Sequence, residues 1–271
     1  MKTTLSLGIS PCPNDTYIFY AMVHGRVGLA PFSLKTTLAD VQELNLAARE
    51  GRFDIVKISA AAYGRVQDRY TLLKAGGALG RGCGPLLVAR PGFRPADLSR
   101  ALVALPGELT TASLLLRLHG VHQGARLEMR YDRILDAVVA GQADAGLVIH
   151  EGRFTYPARG LEKVLDLGQW WERETGLPIP LGVIAVKSEL GPELASWVEE
   201  RIRDSLDFAR NHRDTAWPYI QSNAQEMATT TIEEHIETFV TDYSRDLGQD
   251  GLQAVRRLLQ AGADQGASYE T

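Results

Sequence analysis

One pattern occurs twice in this chain and limits what it can fold into. Residues 40–59 and 131–150 each read as an amphipathic helix, a glycine, two residues, an aspartate, an apolar run and a polar residue at its end. In the first copy the glycine is Gly51, the aspartate Asp54 and the run Ile55-Val56-Lys57-Ile58-Ser59. In the second they are Gly141, Asp144 and Ala145-Gly146-Leu147-Val148-Ile149-His150. A glycine placed there supplies the left-handed cap that ends a helix, and a short, nearly continuous apolar run reads as a strand buried on both faces. Ahead of each copy lies a second matched pair, a strand and turn leading into a helix start rich in capping residues. These are residues 4–10 into Asn14-Asp15-Thr16, and residues 101–106 into Thr110-Thr111-Ala112-Ser113. Repeated strand–helix–strand units of this kind predict two similar α/β lobes.

Composition removes several function classes. At 271 residues the chain can bury two modest cores or one large one. Its net charge of −4 is spread out, with no basic stripe, so nucleic acid is not an expected partner. Cys12 and Cys83 are the two cysteines and stand in no metal-type spacing, so reduced thiols are expected rather than a disulfide framework. The N-terminal residues are too polar for a secretory segment, and no window approaches a membrane-spanning length. A cytoplasmic protein without membrane insertion is the expectation; oligomeric state is left open.

In chain order, residues 3–10 read as a strand, after which Pro11 and Pro13 stiffen the turn. Asn14 or Asp15 is suited to cap a helix running to about Gly25, whose free N–H groups suit a carboxylate or phosphate, although an ordinary capped turn explains the segment equally well. Cys12 could be a nucleophile, but its histidine partner would have to come from elsewhere, so packing is favoured. Residues 27–38 read as a strand, and Ser59 opens a helix over residues 60–67. Lys57 lies on the same side of its strand as Ser59, where it offers a positive charge to an anionic substrate or only pairs with a surface acid. Five glycines between Gly76 and Gly84 match neither a Walker loop nor a dinucleotide fingerprint, and suit a loop over a ligand or a flexible crossover. The turn-rich residues 91–95 mark the passage between lobes, giving 1–93 plus 179–271 as one and 94–178 as the other. His119 and His122 lack a third ligand and read as solvated surface, and Trp170-Trp171 reads as packing. The helices expected over residues 192–211, 214–225, 231–246 and 251–261 read as a covering scaffold without catalytic content.

His150 is the residue that most directly suggests chemistry. It ends a buried strand, and the carboxyl ends of strands in open α/β sheets are where ligands bind. A core histidine satisfied by a carbonyl is the blander reading; the matched polar end Ser59 on the other copy favours a shared cleft. Two lobes with facing polar strand ends and a chain that crosses between them twice resemble the clamshell of type II periplasmic solute-binding proteins, which close around small anions. With no export segment expected, an enzyme is favoured over a transport receptor. The alternative is a non-catalytic cytoplasmic binding protein for a small carboxylate.

Longer stretches carry the reading further. Residues 10–21, beginning Ser10-Pro11-Cys12-Pro13-Asn14-Asp15-Thr16, together with Gly76-Gly77-Ala78-Leu79-Gly80-Arg81-Gly82, Arg130-Tyr131-Asp132-Arg133-Ile134-Leu135 and Gly146-Leu147-Val148-Ile149-His150-Glu151, closely resemble the 1,4-dihydroxy-6-naphthoate synthase family. The resemblance covers most of the chain and fades in the last helices. It implies a cofactor-free, metal-free carbon–carbon lyase of the futalosine route to menaquinone, acting on cyclic dehypoxanthinylfutalosine. It also implies that His150 accepts the proton and that Lys57-Ile58-Ser59 and Thr110-Thr111 grip the substrate; the residues themselves agree, since Ser59, Thr110, Thr111 and the helix N-termini suit its carboxylate, with Asn14 placed to contact the same group.

Overall fold

In the computed structural model, which describes residues 3–225 and 228–265, the doubled pattern becomes two sheets of matching order. The outermost residues of the first expected lobe, 1–2 and 266–271, lie outside the described residues, as do 226–227. The first stretch runs β1 (Thr3–Ile9), α1 (Pro13–Val23), β2 (Phe32–Leu38), α2 (Val41–Arg49), β3 (Ile55–Ser59), α3 (Ala60–Tyr63), β4 (Tyr70–Leu72) and β5 (Ala78–Gly80). The second runs β6 (Leu86–Ala89), β7 (Val103–Leu105), α4 (Thr111–His119), β8 (Arg126–Glu128), α5 (Ile134–Val139), β9 (Ala145–Val148), α6 (Gly152–Thr155), β10 (Glu162–Asp166) and α7 (Leu167–Thr175). The chain then returns through β11 (Ile179–Lys187) to α8 (Gly191–Asn211), α9 (Arg213–Asn223), α10 (Thr229–Phe239), α11 (Asp242–Arg245) and α12 (Gly248–Gln265).

The first sheet is ordered β2-β1-β3-β11-β4, with β5 also on β11; the second is β8-β7-β9-β6-β10. In each, three parallel strands from the repeat are followed by an antiparallel strand, β11 or β6, that the chain uses on crossing between sheets. Among the described residues no helix is long and apolar enough to cross a membrane.

The glycine and aspartate of the pattern do the same physical work in both copies. After α2, Gly51 adopts φ +67°, its N–H donates to the Ala48 carbonyl and the Arg52 N–H donates to that of Ala47. After α5, Gly141 adopts φ +73°, its N–H donates to the Val138 carbonyl and that of Gln142 to the Ala137 carbonyl. These bonds satisfy carbonyls that a helix end leaves open, in a left-handed conformation that glycine adopts without a steric penalty. Three residues on, the aspartate fastens the neighbouring strand. Asp54 Oδ2 accepts from the N–H and the hydroxyl of Ser6, each at 2.8 Å, and Asp144 Oδ2 accepts from the Leu102 N–H at 2.8 Å. The register Leu7 to Ile55 and Val103 to Ala145 follows directly.

Several local expectations need correction. The passage between sheets precedes β6, which pairs with β9 and β10, so residues 86–89 belong with the second sheet and not with the 1–93 segment. Helix α1 is preceded by Cys12 as its cap residue, with Pro13 at the first helical position, so neither Asn14 nor Asp15 is the cap. Instead Asp15 reaches back to the Ser10 N–H. The first-lobe strand starts at Phe32, after Pro31, and the helix opened by Ser59 lasts one turn. The helix expected over residues 231–246 is two helices, α10 and α11. The glycine-rich run is anchored at its start, where Gly76 and Gly77 are packed against α11, with the Ser244 carbonyl accepting from the Gly76 N–H and its hydroxyl donating to the Gly77 carbonyl.

Backbones approach most closely where this run leads into β6. A Cβ built on Gly168 would lie 2.7 Å from the Cα and N of Gly84. Gly168→Ala is therefore expected to lower the unfolding free energy by about 1–3 kcal/mol. Urea denaturation checks this, and an unchanged midpoint would show that the two segments can move apart freely.

Candidate functional site

Between the two sheets, at the strand ends, lies a cavity of about 80 Å³. All seven site residues expected from the sequence line it: Asn14, Lys57, Ile58, Ser59, Thr110, Thr111 and His150. They arrive from both sheets because each follows or ends a strand of the doubled unit. Ligand pockets for small molecules usually hold roughly 300–1,000 Å³, so this cavity is a closed-down form that must widen to admit one.

A buried ion pair forms its floor. Lys57 Nζ lies 2.9 Å from Asp15 Oδ1 and also donates to the Gly76 carbonyl at 3.1 Å. The other oxygen of Asp15 accepts from the Ser10 N–H at 3.1 Å and from its hydroxyl at 2.7 Å. The Lys57 charge is thus compensated inside the protein. Asn14 is also engaged: its Nδ2 donates to Asp15 Oδ1 at 2.9 Å, which orients the amide so that its oxygen accepts from His235 Nε2 at 2.9 Å.

The hydroxyls differ in what they leave for a ligand. Thr110 donates to the Gly107 carbonyl and caps α4 by accepting from the Ser113 N–H. Thr111 donates to the Leu181 carbonyl at 3.0 Å and accepts from the Ala61 N–H at 3.1 Å, so it bridges to the first sheet. Ser59 accepts from Asn45 Nδ2 at 3.0 Å and keeps its own hydrogen for the cavity. Arg153 lines the cavity too, with its guanidinium donating to the carbonyls of Gly82 and Gly84. Among the described residues no carboxylate lies within 4.0 Å of it, so its charge is the one at the cavity without a contacting counter-ion.

His150 sits two residues beyond β9 at φ +52°, the one non-glycine residue with positive φ among those described. That conformation costs about 1–2 kcal/mol and turns the chain from β9 into α6 with the imidazole facing the cavity. The ring is held between Tyr131, 4.7 Å away and tilted by 55°, and His235, 5.9 Å away and nearly parallel at 5°. Burial pushes its pKa down to about 4, with Asp15 opposing and Lys57 reinforcing the shift. The imidazole is therefore neutral at physiological pH.

Three features went unread in the sequence. His235 was assigned to covering scaffold, yet it is fully buried against the site, and its Nε2 hydrogen bond turns Nδ1 towards Glu151 Oε1 at 3.8 Å. The signal was available: His235 falls on the same face of α10 as the buried Ile232, Ile236 and Phe239. Glu151, which follows His150, is only 3% exposed. Cys12 does meet a histidine from elsewhere, beside His150 and within 3.5 Å of the Tyr131 hydroxyl. Its thiol is raised well above the usual range by burial and then by Glu151, so it stays protonated. Of the other candidates, His122 is buried rather than solvated, with Nε2 3.0 Å from the Ala101 carbonyl. Trp171 packs with its N–H on the Pro178 carbonyl, and neither tryptophan reaches the cavity.

Comparison with known proteins bears on this arrangement. The sequence model of a family described as menaquinone biosynthesis matches residues 5–264. A 1,4-dihydroxy-6-naphthoate synthase of Thermus thermophilus is 50% identical over 256 residues, 94% of this chain and 92% of its own length. One of Streptomyces coelicolor is 43% identical over 268 residues, 97% of this chain and 94% of its own. A crystal structure of a protein from Archaeoglobus fulgidus superposes with a TM-score of 0.91 at 33% identity, covering 97% of this chain and 98% of that one. The periplasmic aliphatic sulphonate-binding protein of Escherichia coli shares the fold, with a TM-score of 0.68 at 12% identity over 99% of this chain and 88% of its own. The two-sheet clamshell is thus of the periplasmic-binding-protein type.

Both histidines titrate below their ordinary value, His235 well below it because of burial first and His150 next. The unfolded chain takes up these protons near pH 6.5 while the native one does not, so stability falls as pH drops from about 6.5 towards 4. Each histidine contributes a slope of up to about 1.4 kcal/mol per pH unit in that window. Urea unfolding at pH 7, 6 and 5 measures it, and His235→Gln should flatten the slope; equal slopes in both proteins would remove His235 from the account.

Proposed function

Because the chain belongs to the menaquinone biosynthesis family, we propose that it is a carbon–carbon lyase forming 1,4-dihydroxy-6-naphthoate from cyclic dehypoxanthinylfutalosine, with His150 as the general base. The observation that supports this reading is the neutral imidazole of His150, held in a left-handed turn at the cavity wall opposite Ser59 and the Asp15–Lys57 pair.

The steps follow from what the side chains can do. The substrate carboxylate lies against Arg153, whose charge has no contacting acid, and against the Ser59 hydroxyl. Its negative charge raises the basicity of His150 beside it, countering the effect of burial. The imidazole removes the proton of a hydroxyl β to a carbonyl; the O–H electron pair becomes the C=O of the leaving aldehyde, the carbon–carbon bond breaks in a retro-aldol sense, and its electron pair passes into the conjugated carbonyl system, which takes the proton back from the imidazolium. The released ring becomes aromatic, which makes the step favourable. His235 is a positioning residue: it stacks on His150 and is itself held by Asn14. The two sheets act as lobes that part to admit substrate and reclose through Thr111, excluding water from the intermediate. The cytoplasm is the proposed compartment, where the buried thiols Cys12 and Cys83 stay reduced.

His150→Asn should lower kcat by about 10²- to 10⁴-fold while retaining the native circular dichroism spectrum. Turnover within a few-fold of the unmodified protein would remove the base assignment. Arg153→Gln should raise KM by roughly tenfold or more with a smaller effect on kcat, as expected for loss of a charged contact. An unchanged KM would place the carboxylate elsewhere.

A further inference from the structure

The turn that opens α1 and the turn that follows β9 meet behind the cavity, where the steps above make no use of two of their side chains. Cys12 comes from the first sheet, and His150 and Glu151 from the second. One donor atom from each, the Cys12 Sγ, an imidazole nitrogen and a carboxylate oxygen, lie within 4.8 Å of one another. We propose that Cys12, His150 and Glu151 form a binding site for a thiophilic divalent cation, with Zn²⁺ the best match, and that its occupation ties the two sheets together and withdraws His150 from proton transfer.

The donor set argues for this class of ion. Zn²⁺ accepts sulfur, nitrogen and oxygen donors together and commonly takes three from protein, leaving a fourth position for water. Mg²⁺ and Ca²⁺ prefer all-oxygen surroundings. Bond lengths of about 2.0–2.3 Å place tetrahedral donors about 3.3–3.7 Å apart, so the three atoms must draw in by about 1 Å. Side-chain rotation at Cys12 and Glu151 can supply that. Charge favours it as well. A thiolate beside the Glu151 carboxylate is disfavoured in this buried place, whereas a dication offsets both negative charges. On binding, the thiol S–H bond breaks, its proton leaves to solvent, and a sulfur–metal bond forms with no change of oxidation state. The partially open face of His150 gives the ion a route through the cavity. Tyr131, 3.5 Å from the Cys12 sulfur, and His235, 3.8 Å from the Glu151 carboxylate, flank the site as outer neighbours.

Binding itself does not depend on the lyase reading; the withdrawal of His150 does. The test titrates chelator-treated, reduced full-length protein with Co²⁺, following the thiolate-to-cobalt absorption, and then displaces it with Zn²⁺. The band should saturate at one equivalent, vanish in Cys12→Ser, persist in Cys83→Ser, and need about tenfold or more Co²⁺ in Glu151→Gln, with circular dichroism confirming that each variant is folded. No thiolate band in the unmodified protein, or a band that survives Cys12→Ser, overturns the site. Zn²⁺ should then inhibit naphthoate formation in proportion to occupancy; full turnover at saturating Zn²⁺ overturns the withdrawal of His150. A protein that binds Co²⁺ but never forms naphthoate counts against the lyase reading and leaves the metal site standing.

Discussion

Two opposite charges buried against each other, Asp15 and Lys57, hold the rest of the site in place. Taking such a pair out of water is expensive, and it persists only when every remaining polar atom finds a partner. Here Ser10, Asn14 and the Gly76 carbonyl provide those partners, which binds the start of α1, the strand β3 and the glycine-rich crossover into one unit. The consequence reaches further than the floor of the cavity. Because Asp15 claims the Asn14 amide nitrogen, the amide oxygen is left for His235, and the proton of that imidazole is set on Nε2. His235 then lies parallel to His150 and forms one side of its slot.

His150 itself combines strain with exposure to the cavity. A left-handed conformation at a residue other than glycine persists only where the surroundings impose it. The surroundings are Tyr131 on one face and His235 on the other, contributed by different parts of the chain. Closure is built in a similar way: Thr111, from the second sheet's first helix, donates to β11 and accepts from α3 of the first. The small cavity and this bridge go together, and burial beside them keeps the His150 imidazole neutral.

Much of this is legible in the sequence, and the reason is local. Gly51 with Asp54 and Gly141 with Asp144 act through neighbours a few residues away and through one strand alongside, so their spacing carried the two-sheet architecture directly. The strand-end residues Ser59, Thr110 and His150 followed from that architecture, since α/β topology sends such positions to one cleft. What stayed hidden depends on contacts between segments far apart in sequence. His235 meets Asn14 across 221 positions, and Lys57 meets Asp15 across 42. Cys12 looked isolated for the same reason. The position of β6 was misjudged because the prolines at 91 and 95 mark a turn convincingly, whereas sheet membership is decided by the partner strands β9 and β10.

The most direct measurement of the central claim is to incubate the purified, chelator-treated protein with cyclic dehypoxanthinylfutalosine and follow the products by absorbance and mass spectrometry. The account predicts time-dependent appearance of 1,4-dihydroxy-6-naphthoate. Recovery of the compound bound but chemically intact would contradict it and would make the clamshell a receptor.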